Sequence, residues 1–327
     1  MDQDDLLSRQ TTRSSFQELQ ELEPSPVDDS PSDTRDSYFP SSEPEQQQQQ
    51  QQQQDGASDP RPTPLKRSST LGLNSHSPVW YLTRIQKYSS YAFSVFAAFH
   101  ITNTSLIPLA TRSVSASEPY LLLTRPYYQS WPLAEPFVVA LPLLAHVGSG
   151  IALRLYRRKQ SLEWSGAETR RDKRQVPWPK VSGTSKLGYV LTPLVLGHAF
   201  VNRVLPLWKE GGSSSINLSY VSHAFARHPA VSFVGFAALI AAGAWHTVWG
   251  WAKWWNLAPA QVTMGGVEGQ VTRKRRWYAV NAVSALVAAL WMAGGLGVVG
   301  RGGRVDGWVG REYDELYQSI PIVGRWM

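Results

Sequence analysis

Two stretches of this 327-residue chain decide its fold: YSSYAFSVFAAFHITNTSLIPL, residues 88–109, and LGYVLTPLVLGHAFVNRVLPLW, residues 187–208. Each is apolar over about 20 residues, the length that a helix needs to cross a bilayer. Each carries one histidine, His100 or His198, with a tyrosine nine residues before it and a proline eight residues after it. This shared pattern predicts two related membrane helices, each with a buried imidazole.

A second pattern repeats in two further apolar stretches. His146 is followed by Gly150 in one of them, and His246 is followed by Gly250 in the other. The first pattern recurs after 98 residues and the second after 100 residues. The sequence therefore indicates a duplicated helix pair with one histidine on each helix.

The predicted fold class is an all-α membrane protein with five transmembrane helices. The first four helices, the duplicated pair, are expected to form a four-helix bundle, whereas the fifth carries no histidine and is expected outside it. Residues 79–300 make up this transmembrane domain, and residues 301–327 are predicted to be a short C-terminal tail. The five spans are predicted near residues 88–109, 133–155, 187–208, 230–252 and 277–299.

The charges of the loops predict the orientation in the membrane. Lysine and arginine concentrate between spans 2 and 3 and between spans 4 and 5, and the other loops contain few. Because basic loops stay on the cytosolic side, the N-terminus is expected to be cytosolic and the C-terminus to lie on the opposite side. Anionic phospholipid headgroups are the expected partners of these loops, rather than nucleic acid.

Residues 1–78 differ in composition from the rest of the chain. They contain 14 acidic and 6 basic residues, whereas residues 79–327 contain 11 and 26. This segment also includes a glutamine tract, Gln46 to Gln54, and has too few apolar residues to form a core. It is predicted to be a disordered, acidic, cytosolic tail. The chain has no cysteine and no recognisable catalytic motif, so no enzyme activity is expected.

The four histidines are the candidate site residues in the membrane, since an ionisable group in hydrocarbon is a functional hypothesis by default. If the two halves are related by a pseudo-two-fold axis, His100 faces His198 and His146 faces His246. The pairs are interpreted in three ways: as axial ligands of haem b, as an ancestral haem site that now only packs, or as buried polar pairs that hydrogen-bond neighbouring helices. No other metal site is expected.

The haem hypothesis rests on an arrangement that resembles the di-haem membrane anchor of succinate dehydrogenase and fumarate reductase, in which four helices each give one histidine. Counted from the cytosolic ends, the first pair is expected roughly 17 Å deep and the second roughly 10–13 Å deep. This small separation argues against two stacked haems. The glycines expected to give the macrocycles room are Gly148, Gly150, Gly197, Gly243 and Gly250.

The N-terminal segment contains two proline patterns of the PxP type. The first comprises Leu22, Pro24 and Pro26, and the second contains Pro62 and Pro64. Prolines at this spacing keep a peptide extended and reduce the entropy that it loses on docking. Either motif is a candidate binding site for a partner, and a solvated linker is the alternative.

The combination of a PxP-bearing tail, five spans and four histidines resembles the fungal mitochondrial outer-membrane adaptor family of the MCP type. This resemblance implies an adaptor that recruits a bridge-like lipid-transfer protein of the vacuolar protein sorting class through Leu22, Pro24 and Pro26. It also implies a multi-pass protein of the mitochondrial outer membrane with a cytosolic N-terminus and a role in lipid homeostasis at organelle contact sites. The alternative function is that of a b-type cytochrome-like membrane protein.

Overall fold

The computed structural model describes residues 76–129, 131–321 and 324, and this part of the chain is helical without a β-strand. Its α-helices are α1 Pro78–Ile101, α2 Ile107–Thr111, α3 Val114–Thr124, α4 Pro126–Gln129, α5 Leu141–Trp164, α6 Arg170–Gln175, α7 Gly183–Ala199, α8 Leu205–Glu210, α9 Leu218–Arg227, α10 Pro229–Trp254, α11 Gly266–Gly295 and α12 Gly307–Gln318. Three π-helical segments, Thr102–Leu106, Pro136–Ala140 and Phe200–Val204, continue these helices.

Five continuous helical segments are long and apolar enough to cross a membrane, which confirms the predicted fold class. They are numbered here as spans 1 to 5: Pro78–Thr111, Pro136–Trp164, Gly183–Glu210, Pro229–Gln261 and Gly266–Arg301.

The spans extend beyond the boundaries predicted from hydropathy. Span 1 begins at Pro78, ten residues before the predicted start, because the helix continues through a polar flank. The Ser77 hydroxyl accepts a hydrogen bond from the Trp80 amide at 3.4 Å, and proline at the first helical position suits a helix start. These capping signals, rather than the apolar run, determine where the helix begins.

Each π-helical segment ends two residues before a proline of the same span, namely Pro108, Pro142 or Pro206. A proline has no amide hydrogen and its ring clashes with the carbonyl four residues earlier, so the wider π-turn accommodates it. Two of these segments begin two residues after a histidine and therefore belong to the repeat. In both, the side chain of a polar residue four positions after the histidine donates to its carbonyl at 2.8 Å: Thr104 to His100 and Asn202 to His198.

The first four spans form a bundle of two closely packed pairs. Spans 1 and 2 pack along their lengths, as do spans 3 and 4, whereas the backbones of the two pairs approach each other at few points. Side chains bridge the pairs: Trp251 Nε1 in span 4 donates to the Ser94 hydroxyl in span 1 at 3.2 Å, and Arg203 in span 3 binds Glu135 at the start of span 2. Spans 1 and 3 are therefore diagonally opposite, as are spans 2 and 4.

Span 5 packs on the outside of this bundle, against spans 4 and 1. Ala288 forms a buried cluster with Ile240 and Ala244 of span 4. Gly294 lies so close to span 1 that a Cβ atom there would be 1.8 Å from the carbonyl oxygen of Ser105. This contact explains why a glycine occupies the position.

One end of the bundle, called the capped end, is covered by α3, α9 and α12. The Glu118 carboxylate of α3 accepts hydrogen bonds from the amide and the hydroxyl of Ser219 at the start of α9. Residues 301–327, expected to be a short tail, contain α12, whose Tyr313 and Tyr317 pack on the buried Tyr220. The opposite end, called the basic end, carries the loops between spans 2 and 3 and between spans 4 and 5.

Candidate functional site

The structure brings His146 and His246 together across the diagonal of the bundle, near the basic end. Their ring centroids are 6.0 Å apart and the ring planes are nearly perpendicular, at 85°. His146 Nδ1 lies 3.1 Å from the Gln86 carbonyl oxygen, and His246 Nδ1 lies 3.0 Å from the Thr184 carbonyl oxygen. A carbonyl only accepts hydrogen bonds, so both rings carry their proton on Nδ1 and keep a free lone pair on Nε2.

Gly188, which was not predicted from the sequence, makes room for one of these rings. A Cβ atom at this position would lie 2.9 Å from Cε1 of His246. Among the glycines that were predicted to provide space, Gly150 packs against the side-chain amide of Gln86, since a Cβ atom there would lie 2.9 Å from Nε2. At Gly243 an added Cβ atom would lie 3.3 Å from Cζ3 of Trp291 in span 5, so this glycine packs against span 5 and its predicted role at the histidines is wrong.

His100 and His198 meet across the other diagonal, nearer the capped end. Their ring centroids are 5.8 Å apart with an angle of 72° between the planes. Phe96 stacks on His100 and Phe236 contacts His198 through its edge, with centroid distances of 5.7 and 5.6 Å. Both histidines are half-buried.

The depth difference between the two pairs is larger than predicted. The carbonyl that holds His146 belongs to Gln86, and His100 follows 14 residues later on the same helix, about 21 Å at 1.5 Å per residue. The second half repeats this spacing, because His198 follows 14 residues after Thr184. The predicted depths placed the pairs too close together because they assumed that the cytosolic ends of all the predicted spans lie at one level, whereas His146 is level with Gln86, two residues before the predicted start of span 1.

A half-buried ion pair links the two halves beside the capped-end histidines. Arg203 Nε lies 2.8 and 2.9 Å from the two carboxylate oxygens of Glu135, and the guanidinium also binds the Ser213 hydroxyl. This contact was not predicted from the sequence. The sequence contained one signal for this contact: Arg203 lies within an apolar stretch, where a charged side chain requires a partner.

A second polar cluster joins α9 to α12 at the capped end. The Val305 amide donates to Nδ1 of the fully buried His223 at 3.1 Å, so Nε2 carries the proton and donates to Asp314 at 2.9 Å. Arg227 Nε also donates to Asp314 at 2.9 Å. Burial acts to raise the pKa of Asp314, but the hydrogen bonds from His223 and Arg227 outweigh it and lower the pKa below its usual value.

The basic end combines arginines that bind other parts of the protein with exposed basic side chains. Arg158 is buried and donates to the carbonyl oxygens of Val176 and Pro177 at 2.8 Å, and it lies over the Trp178 ring. It therefore holds the loop between spans 2 and 3 against span 2. The basic residues of α6 remain exposed: Arg170, Arg171, Lys173 and Arg174. This exposed set is accessible to lipid headgroups, whereas Arg158 is not.

The candidate docking residues of the N-terminal segment lie outside the described residues. They are Leu22, Pro24, Pro26, Pro62 and Pro64. Their role as a partner-binding site therefore stays a prediction from the sequence.

The fold and the paired histidines define a helical multi-pass membrane protein built from a duplicated helix pair. Residues 193–304, from span 3 to just beyond span 5, match the family model described as MDM10-complementing protein 1, transmembrane domain. This match supports the predicted assignment to the MCP-type family. No significant match to the chain is found among curated proteins or among solved structures.

Proposed function

We propose that this protein is an adaptor of the mitochondrial outer membrane, without enzyme activity, that recruits a bridge-like lipid-transfer protein through its N-terminal segment. The family match over residues 193–304 is the observation that carries the proposal. The PxP motif at Pro24 and Pro26 is the proposed docking site, and lipid homeostasis at organelle contact sites is the proposed role.

The arrangement of the spans is consistent with this proposal. The chain enters span 1 at Pro78, at the basic end of the bundle, so the preceding residues emerge at the same end as the exposed arginines and lysine of α6. A cytosolic basic end follows the usual charge bias of membrane proteins and makes the segment accessible to a soluble partner.

The test of recruitment is a pair of matched double substitutions in the full-length chain. Pro24→Ala with Pro26→Ala should abolish co-localisation of the lipid-transfer protein with the membrane, because an extended docking conformation is lost. Pro62→Ala with Pro64→Ala serves as the control and should leave recruitment intact. Since neither change touches a span, both variants should remain in the membrane. Recruitment that survives all four substitutions would contradict the proposal, and loss with the second pair alone would assign docking to the other motif.

We also propose that α6 contacts anionic lipid headgroups, each suitably placed basic residue contributing about 1 kcal/mol. A peptide of residues 165–182 should bind anionic vesicles in a salt-dependent manner. Changing Arg170, Arg171, Lys173 and Arg174 to glutamine should remove that binding. Equal binding by both peptides would show that these basic residues only determine the orientation of the protein in the membrane.

A further inference from the structure

We propose that each diagonal histidine pair binds one b-type haem, with one imidazole from each half of the bundle as an axial ligand. The basic-end pair is His146 with His246, and the capped-end pair is His100 with His198. This inference goes beyond the adaptor function and does not depend on it, because it concerns the membrane spans alone.

The number of ligands fits haem better than a bare metal ion. In the described part of the chain, no three or more His, Asp or Glu side chains are grouped so that they could hold a metal ion. Protein sites for single metal ions commonly use three or four side chains. A porphyrin already supplies four nitrogens to its iron, so two imidazoles complete the coordination.

The separation of the rings fits a shared iron. With a metal–nitrogen bond of about 2 Å on each side, two imidazoles that bind one metal have ring centroids about 6 Å apart. The observed distances are 6.0 Å at the basic end and 5.8 Å at the capped end. Two pairs on different helices of a duplicated fold thus have nearly the same spacing.

The hydrogen bonds at the basic end orient both rings for coordination. Nδ1 of His146 and Nδ1 of His246 each bind a backbone carbonyl of the adjacent span. Metal-bound histidines usually donate their second ring nitrogen to such a group, which fixes the tautomer and the ring orientation. The lone pair on Nε2 is then available to an iron in the space between the halves.

The proposed haems would lie between the two halves of the bundle, which are joined mainly by side chains. Spans 1 and 2 pack closely, as do spans 3 and 4, but the backbones of the two pairs meet at few points. Both histidine pairs reach across this division.

Hydrogen bonding between helices explains the histidine pairs less well than coordination to haem iron does. A buried imidazole that only connects helices should use both nitrogens in hydrogen bonds. Among the described residues, neither nitrogen of His100 has a hydrogen-bond partner, and Nε2 of His146 and of His246 has none either. Coordination to iron would use one nitrogen of His100 and Nε2 of His146 and of His246, whereas helix packing leaves these three without a role. Nδ1 of His198 lies 3.4 Å from the side-chain nitrogen of Asn202, so an iron would bind this ring through Nε2.

The test is the haem content of the full-length protein, purified in detergent from cells supplied with a haem precursor and then titrated with hemin. The pyridine haemochrome should give two haems per chain, and the dithionite-reduced spectrum should be that of a low-spin bis-imidazole haem. His146→Ala and His100→Ala should each lose one haem, and the double variant should lose both. His228→Ala, at a histidine outside the pairs, should keep two.

A second substitution separates loss of a ligand from loss of the fold. His146→Met retains a side chain that ligates haem iron, so it should keep the haem and change its spectrum. Size-exclusion elution like that of the unaltered chain establishes folding for each variant. No haem after hemin titration, or a haem spectrum that survives all the substitutions, would overturn the proposal. One haem that depends on a single pair would overturn it for the other pair.

Discussion

At the scale of single residues, neighbouring backbone groups orient the ring of His246. The Thr184 carbonyl binds Nδ1 of His246, and Gly188, one turn later on the same helix, leaves space for Cε1. Neither contribution comes from a side chain. Sequence patterns report side chains, so the histidine pair was predictable and the groups that orient it were not.

The close approach at Gly188 leads to a prediction about stability. Gly188→Ala should displace the His246 ring and weaken its bond to the Thr184 carbonyl, which costs about 1–2 kcal/mol. Gly183→Ala is the matched control, because the same helix is exposed there and nothing lies within 4 Å of the added Cβ atom. Thermal unfolding in detergent measures both variants. Equal midpoints for the two would contradict the close contact.

Asp314 should make the capped end sensitive to acid. Its folded-state pKa is lowered, so its contribution to stability is complete above the unfolded-state pKa of about 4 and is lost as the pH falls through the folded-state pKa. The groups that face it are His223, Arg227 and Arg304, the last at 3.6 Å. Release of α12 on acidification should appear in the near-ultraviolet circular dichroism of its tyrosines.

Two variants test whether Asp314 is responsible. Asp314→Asn should weaken the docking of α12 at neutral pH and flatten its dependence on acid. Asp306→Asn removes a carboxylate that is exposed and makes no capping hydrogen bond at the start of the same helix. It should leave the acid transition unchanged. If both variants behave alike, the acid sensitivity arises elsewhere.

At the scale of helices, the histidine repeat predicted which spans correspond, but the ends of those spans required other information. Hydropathy placed span 1 at residues 88–109, whereas a serine cap and a proline start it at residue 78. The π-helical segments were also not predicted, although each ends two residues before a proline. Helix termini and bulges depend on backbone hydrogen bonds, which hydropathy does not register.

Span 5 depends on one small residue for its place beside the bundle. Gly294→Ala should force it away from span 1, since the new Cβ atom would lie 1.8 Å from the Ser105 carbonyl oxygen. Overpacking of this kind costs about 1–3 kcal/mol or more. Gly235→Ala, at an exposed helical position with nothing within 4 Å, should be neutral. Unfolding in detergent compares the two, and an unchanged Gly294→Ala protein would refute this packing.

At the scale of the whole molecule, the sequence was most informative where polar residues interrupt apolar helices. The four histidines predicted the fold class, the duplication and the pairing across the bundle. The covering of the capped end was not predicted, because α9 and α12 are short and amphipathic and lie outside the spans. Their contact depends on the tertiary packing of Tyr220 against Tyr313 and Tyr317, which are far apart in the sequence.

The orientation of the molecule gives a prediction that involves both of its ends. Ordered helices cover the capped end, whereas the basic end carries exposed charges and the start of span 1. If the protein lies in the mitochondrial outer membrane, as proposed, and its basic end is cytosolic, protease added to intact mitochondria should remove an N-terminal tag and spare a C-terminal tag. Solubilising the membranes with detergent should expose the C-terminal tag, which excludes intrinsic resistance of α12. Loss of the C-terminal tag alone from intact mitochondria would show the opposite topology. The charge bias that places basic loops on the cytosolic side would then not apply to this membrane.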